Sequence, residues 1–162
     1  MENIGSLAIL LGFCLSIYIV VAALVGKWKD KPYLAASAER GVFALWLLVV
    51  TASATLLYHL FTDDFRLSFV AGHSNRDLAG AYKFAAWWGG QEGSLLFWLF
   101  ILSTYTFVAV YLNRRKHRDM IAYVIAILAA VQCFFFILVN FVANPFQVLR
   151  SEERRVGKEC RL

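Results

Sequence analysis

Four uninterrupted apolar blocks, each long enough to cross a bilayer, constrain this chain more than any other feature. They occupy residues 4–25, 41–61, 94–112 and 120–142. A bilayer core about 30 Å thick is spanned by roughly 20 helical residues, and lipid forces the backbone into helices or closed barrels. With 60% hydrophobic and 16% aromatic residues, the sequence predicts an all-α polytopic membrane protein. Its four transmembrane helices are expected to form part of a larger helical bundle.

The basic residues between the blocks predict an orientation. Residues 26–40 and 113–119 carry four Lys or Arg each, whereas residues 62–93 carry three and the first few residues carry none. Short cytoplasmic loops are enriched in Lys and Arg. The N-terminus, the connection 62–93 and the end near Pro145 are therefore expected on the outer side. In the first connection, Pro32 is expected to prevent continuation of the helix.

The last thirteen residues, 150–162, break with the rest of the chain. They are polar, with five Lys or Arg and three Asp or Glu, and they resemble the translation of a common sequencing-adapter oligonucleotide. Such a segment is excluded from fold reasoning, and the natural protein is then expected to continue beyond residue 149. Without it the net charge falls from +5 to +3, which gives no basis for nucleic-acid binding.

The long second connection carries local patterns of its own. Phe65, Leu67 and Phe69 alternate with polar residues, which predicts a short extended piece. Residues 72–75 have turn composition. Apolar residues at helical spacing between 78 and 85 then predict a short amphipathic helix in the interface, leading into Trp87.

Residues 87–98, called the tryptophan–glycine segment below, hold three tryptophans, three glycines and Glu92 at the entrance to the third block. Tryptophan favours the bilayer–water boundary, and glycine lets a helix or a flat ligand approach closely. One interpretation is an interfacial anchor with glycine-mediated packing, in which the helix dipole favours Glu92. The other is a site, because a carboxylate at that depth needs a cavity or a partner.

The residues together resemble a known family. The runs 69–75 and 88–98, with Tyr82-Lys83 between them and the run 140–146 after them, are similar to the N-terminal region of the CcmF/NrfE-type cytochrome c biogenesis proteins. These are haem-lyase subunits of the haem-handling family that includes CcsA. The resemblance covers residues 1–149, and Trp-Gly-Gly-Gln-Glu-Gly-Ser-Leu-Leu at 88–96 is a fairly specific signature.

The resemblance implies that the whole protein handles haem and promotes its covalent attachment to apocytochrome c. It implies action at the outer face of a bacterial-type inner membrane, with other cytochrome c maturation subunits as partners. The family's haem-ligand histidines are expected beyond residue 149, so no catalytic residue and no metal ligand is assigned here, and the fragment is expected to be inactive alone. The candidate haem-platform residues are Trp88, Gly89, Gly90, Gln91, Glu92, Gly93, Ser94 and Trp98. The alternative is a transporter or scaffold subunit in which Glu92 lines a polar pathway.

The remaining reactive side chains are interpreted as structural. His59 and His73 could bind haem iron from two sides, but a histidine at a helix end or in a turn is more often a hydrogen-bonding residue. Cys14 and Cys133 lie outside any metal-ligand spacing and are expected to be small core residues. Neither a Ser-His-Asp set nor a phosphate-binding glycine loop occurs, so hydrolase and nucleotide-binding functions have no support.

Overall fold

A computed structural model describes residues 2–63, 66–73, 80–114 and 118–147 of the chain. The helices are α1 (Glu2–Trp28), α2 (Pro32–Phe61), α3 (Ser68–His73), α4 (Gly80–Gly89), α5 (Gln91–Asn113) and α6 (Arg118–Ile137), and α6 continues as a π-helical segment, Leu138–Val142. Within these residues, four helices are long and apolar enough to cross a membrane. They agree with the four predicted spans, and the protein is a multi-pass, all-α membrane protein.

The first two long helices are joined by a much shorter turn than the sequence predicts. The expected connection covers residues 26–40, but α1 continues to Trp28 and α2 begins at Pro32. Proline stops a helix that approaches it from the N-terminal side, yet its fixed φ suits the first position of a new helix. Gly26 permits the tight turn, because a Cβ there would lie 2.8 Å from the backbone nitrogen of Ala35.

The four long helices pack in a ring, with α1 and α5 each lying against both α2 and α6. Small residues bring α1 close to its neighbours. A Cβ on Gly12 would lie 2.5 Å from the Phe136 ring of α6. Gly41 of α2 is similarly close to Ile19, whose Cγ1 would lie 2.8 Å away. Close approach through small residues is typical of helix packing in membranes, where dispersion contacts replace the hydrophobic effect.

Polar side chains in the interior join α5 to its two neighbours. The indole N–H of Trp46 on α2 donates to the Thr104 hydroxyl at 3.1 Å. The amide of Gln132 on α6 donates to the Thr106 hydroxyl at 2.7 Å, and both residues are at most 1% exposed. Such interhelical hydrogen bonds contribute about 0.6 kcal/mol on average in membranes and fix the register of the helices.

The start of α1, helix α3 and the residues that follow α6 lie together at one end of the bundle. Gly5 of α1 lies against the Phe146 ring, and the backbone N–H of Ser68 in α3 donates to the Gln147 carbonyl at 2.9 Å. The extended piece predicted around Leu67 and Phe69 is wrong at Phe69, which belongs to α3. Leu67 and Phe69 are both buried. The alternating pattern therefore identified two buried residues, but it did not predict the helix that begins at Ser68.

Helix α4 confirms the short helix predicted before Trp87 over its described part, Gly80–Gly89. The turn predicted at residues 72–75 is wrong at residues 72 and 73, which belong to α3. Its other residues, Ser74 and Asn75, lie outside the described part of the chain, as do Phe65 and the predicted helical residues 78 and 79. The tail, residues 150–162, also lies outside them.

One predicted core residue is on the outside of the bundle. Cys14 is exposed on α1, and Cys133 on α6 is half-buried. In a membrane helix the lipid-facing side is as apolar as the core, so an apolar run does not indicate which side Cys14 faces.

Candidate functional site

The tryptophan–glycine segment forms the junction between α4 and α5. Trp87 and Trp88 belong to the last turn of α4, Gly90 is the N-cap of α5 with φ −92° and ψ 149°, and α5 begins at Gln91. This junction lies at the same end of the bundle as α3, because Phe69 of α3 contacts Gly93. The segment therefore lies at the N-terminal end of a helix long and apolar enough to cross a membrane.

Gly93 is held at a point of very close approach. A Cβ on this residue would overlap the carbonyl oxygen of Trp87 and the Phe69 ring. The glycine thus lets the end of α4 and helix α3 contact the backbone of α5 directly. Gly89 differs, since a Cβ there would meet nothing within 4 Å. Packing among the described residues therefore explains the glycine at position 93 but not the glycine at position 89.

Trp87 is the aromatic centre of the junction, although the predicted platform did not include it. It is 4% exposed, and its ring lies edge-on to Phe97 at 5.0 Å and tilted to Phe100 at 5.7 Å between centroids. Its indole N–H has no hydrogen-bond partner among the described residues. Edge-to-face aromatic pairs contribute about 0.5–1.5 kcal/mol beyond area burial, so Trp87 anchors α4 on α5.

Trp88 and Trp98 are far more exposed than Trp87. They are 52% and 56% exposed, and each has an edge-on contact with Phe97, at 6.0 and 6.3 Å between centroids. We call Trp88, Gly89 and Trp98 the outer face of the segment, and Trp87, Gly93 and Leu96 its inner face. Leu96 is fully buried. The structure thus divides the predicted platform residues between a packed side and an open side.

Glu92 lies in the first turn of α5 and is half-buried. The N-cap, Gly90, has no side chain to accept a hydrogen bond from the free N–H groups of that turn. Ser94 does not cap the helix either, because its hydroxyl donates to the Gln91 carbonyl at 3.0 Å. A carboxylate in the first turn is stabilised by the helix dipole, and this position accounts for Glu92 without a ligand.

An ion pair that the sequence did not reveal fixes α4 against α2. The Lys83 ammonium donates to both carboxylate oxygens of Asp63, at 2.7 and 2.6 Å. Lys83 is only 7% exposed, although the charged residues of an amphipathic helix usually lie away from its buried face. Asp63 follows the end of α2 with φ at 52°, a conformation that Asp tolerates better than most residues. In the sequence, Asp63 is recognisable only as a charged residue that follows the second apolar block.

The two candidate histidines lie near the ends of helices α2 and α3. His59 is buried near the end of α2, 4% exposed, with its ring edge-on to Tyr58 at 5.8 Å between centroids. The backbone of His73 ends α3, and its side chain is outside the described part. The described residues contain no group of three or more His, Cys, Asp or Glu that could hold a metal ion.

The geometry limits how a flat macrocycle could contact the segment. On the inner face, the Trp87 carbonyl and the Phe69 ring already fill the space at Gly93. On the outer face, a Cβ on Gly89 would meet nothing within 4 Å, and the indoles of Trp88 and Trp98 are about half exposed. Among the residues of this segment, Gly93 therefore leaves no room for a ring, whereas the outer face is accessible.

Comparisons with known proteins give consistent results. No protein-family model matches the chain. The chain is 33% identical over 157 residues to the cytochrome c-type biogenesis protein CcmF of Pseudomonas aeruginosa, covering 97% of this chain and 24% of that protein. It is 32% identical over 146 residues to the cytochrome c-type biogenesis protein NrfE of Haemophilus influenzae, covering 90% of this chain and 23% of that protein.

A solved structure is also similar. The structure titled Cytochrome c Heme Lyase CcmF superposes with a TM-score of 0.81 at 28% sequence identity, covering 93% of this chain and 25% of the other. The chain thus spans about a quarter of the length of these relatives.

Proposed function

Because this chain belongs to the CcmF/NrfE family of cytochrome c-type biogenesis proteins, we propose that it is the N-terminal transmembrane region of a haem-handling protein. The whole protein would attach haem covalently to apocytochrome c, with apocytochrome c and other maturation subunits as partners. Haem is here a substrate that passes through the protein. The observation that carries the proposal is the match of the four-helix arrangement to a structure titled as a heme lyase.

Within this region we assign the outer face of the tryptophan–glycine segment to haem contact. Trp88 and Trp98 would supply apolar surface at the membrane boundary, and Gly89 would let the ring approach the backbone. The inner face would hold α4 and α5 in the orientation that presents these side chains. Iron ligands would come from outside residues 1–149, and residues 150–162 would have no role.

A chimera tests the proposed function. Residues 1–149 would replace the aligned part of CcmF in a Pseudomonas aeruginosa strain that lacks its own copy. We expect covalently bound haem in c-type cytochromes to return, as measured by haem staining, whereas residues 1–149 expressed alone would restore none. A chimera that reaches the membrane in normal amounts and matures no cytochrome would contradict the proposal.

The contact role of the outer face needs a matched pair of variants. Trp98→Leu removes a half-exposed ring at the bundle end, and Tyr105→Leu removes a 65% exposed ring two turns further along the same side of α5. In the chimera, Trp98→Leu should lower haem attachment severalfold at normal membrane level, while Tyr105→Leu should not. Equal effects of the two substitutions would remove the contact role and leave the family function intact.

The orientation can be tested independently. We propose that the α4–α5 end faces outward in the inner membrane, in line with the charge distribution between the blocks. Cysteines at exposed positions 29 and 91 report the two ends of the bundle. A membrane-impermeant maleimide added from outside should label position 91 and spare position 29, and the reverse pattern would invert the assignment.

The transporter alternative has less support. It required Glu92 to line a polar pathway, but Glu92 lies in the first turn of α5, at the bundle end. The interior also contains the hydroxyl of Thr106 and the amide of Gln132. These two groups hydrogen-bond to each other and join α5 to α6.

A further inference from the structure

A cavity of about 420 Å³ opens at the end of the bundle opposite the tryptophan–glycine segment. It lies between the α1–α2 turn and the start of α6, and its walls include Gly26 and Lys27 from the last turn of α1, Asp30 from the turn, Pro32 and Glu39 from α2, and Ile121 from α6. The wall is therefore apolar on one side and charged on the other.

The length of α2 places this cavity at the level of lipid headgroups. Thirty residues of helix span about 45 Å, whereas the hydrocarbon core is about 30 Å thick. The apolar part of α2 begins at Gly41, so the first residues, from Pro32 to Arg40, extend beyond the core at this end. Pro32 and Glu39, which line the cavity, belong to that extension.

The charges on the wall have both signs. Asp30 and Glu39 contribute carboxylates and Lys27 an ammonium. Glu39 is half-buried and Asp30 is exposed, and neither carboxylate forms an ion pair or hydrogen bond with another residue in the described part of the chain. A carboxylate that is partly removed from water gains most from a charged donor, so this wall favours a ligand that carries an ammonium group.

We propose that this cavity binds the headgroup of an amine-bearing zwitterionic phospholipid, of the phosphatidylethanolamine class. The primary ammonium would donate to Asp30 and Glu39, and the acyl chains would leave along the apolar residues near Ile121. A phosphatidylcholine headgroup has no N–H to donate. An anionic phosphatidylglycerol headgroup would place negative charge beside two carboxylates.

The test measures which lipids the full chain retains. The chain is purified into micelles from vesicles that hold equal amounts of the three phospholipids, and retained lipid is quantified by native mass spectrometry. We expect phosphatidylethanolamine to be retained about tenfold over phosphatidylcholine, the ratio that one hydrogen bond to a charged group supplies. Equal retention of all three lipids, or preference for phosphatidylglycerol, would overturn the proposal.

Two variants locate the effect. Asp30→Asn with Glu39→Gln removes both charges and keeps shape, since Asn accepts the φ of 47° at position 30. Ala36→Trp fills the cavity, which Ala36 lines, without changing its charge. Both should abolish the preference for phosphatidylethanolamine, whereas Glu92→Gln, which removes a carboxylate at the other end of the bundle, should retain it. A preference that survives in either cavity variant would place the lipid elsewhere and overturn the proposal.

Discussion

The two faces of the tryptophan–glycine segment differ in what their side chains contact. On the inner face, Trp87 and Leu96 are buried and Gly93 lies directly against the Trp87 carbonyl and the Phe69 ring. On the outer face, Trp88 and Trp98 are about half exposed and Gly89 faces open space. One short signature therefore combines a packing requirement with an exposed aromatic surface. Variants that separate the two faces should separate stability from function.

The largest expected difference is between the two adjacent tryptophans. Trp87→Ala removes a buried ring with several aromatic neighbours, and the loss of such a ring costs about 3–5 kcal/mol. Trp88→Ala removes a ring that is 52% exposed and should cost about 1 kcal/mol or less. The free energy of unfolding in mixed detergent micelles measures both. Similar losses for the two variants would show that the faces are not distinct.

The two glycines give the next largest contrast. Gly93→Ala introduces a Cβ where the Trp87 carbonyl and the Phe69 ring already lie, and overpacking of this kind costs about 1–3 kcal/mol. Gly89→Ala places the same methyl group in open space and should be neutral or stabilising by up to about 1 kcal/mol. The pair is measured in the same unfolding assay. A stable Gly93→Ala variant would contradict the close packing of α3, α4 and α5.

The ion pair between Asp63 and Lys83 should contribute less than either packing contact. Lys83→Met keeps the length of the side chain and removes its charge, leaving a partly buried Asp63 carboxylate. Because the two side chains are 9% and 20% exposed, we expect a loss of about 1–2 kcal/mol, between the values for surface and buried pairs. A double-mutant cycle with Asp63→Asn isolates the pair, and a coupling energy near zero would show that it does not hold α4.

The sequence predicted the features that depend on local composition, and it did not predict those that depend on contacts between helices. The four spans are confirmed because a helix of about 20 consecutive apolar residues matches the thickness of a bilayer core. The faces of the helices were not predictable in the same way. In α5 the buried side carries Ser103 and Thr106 while the exposed side carries Trp98 and Tyr105. Lipid and core are both apolar, so periodicity does not distinguish them, and Cys14 was misplaced for this reason.

The connections show a second limit. The helical state of Phe69 depends on tertiary contacts that local pattern does not contain. The start of α2 at Pro32 left a local signal, because proline suits the first position of a helix, but proline also ends helices and the signal was interpreted that way. The burial of Lys83 was not evident from the sequence, because its partner, Asp63, lies outside α4. In the candidate site, the sequence identified the segment, but only the structure separated Trp87 from Trp88. Adjacent residues on a helix point in different directions, and composition alone cannot rank them.

The smallest expected effect concerns Glu92, which lies between the two faces. Its position in the first turn of α5, after an N-cap without a side chain, predicts that the helix dipole stabilises the carboxylate by about 0.3–1 kcal/mol. Glu92→Gln keeps shape and hydrogen bonding but removes the charge, so unfolding should become easier by that amount while the chimera still matures cytochrome c. The competing hypothesis gives Glu92, with Gln91 and Ser94, a part in ordering the polar edge of a haem platform. It predicts normal stability and a marked fall in haem attachment. Glu92→Ala is the second variant: if maturation is normal in both, Glu92 acts only through the helix end, and haem contact is confined to the outer face.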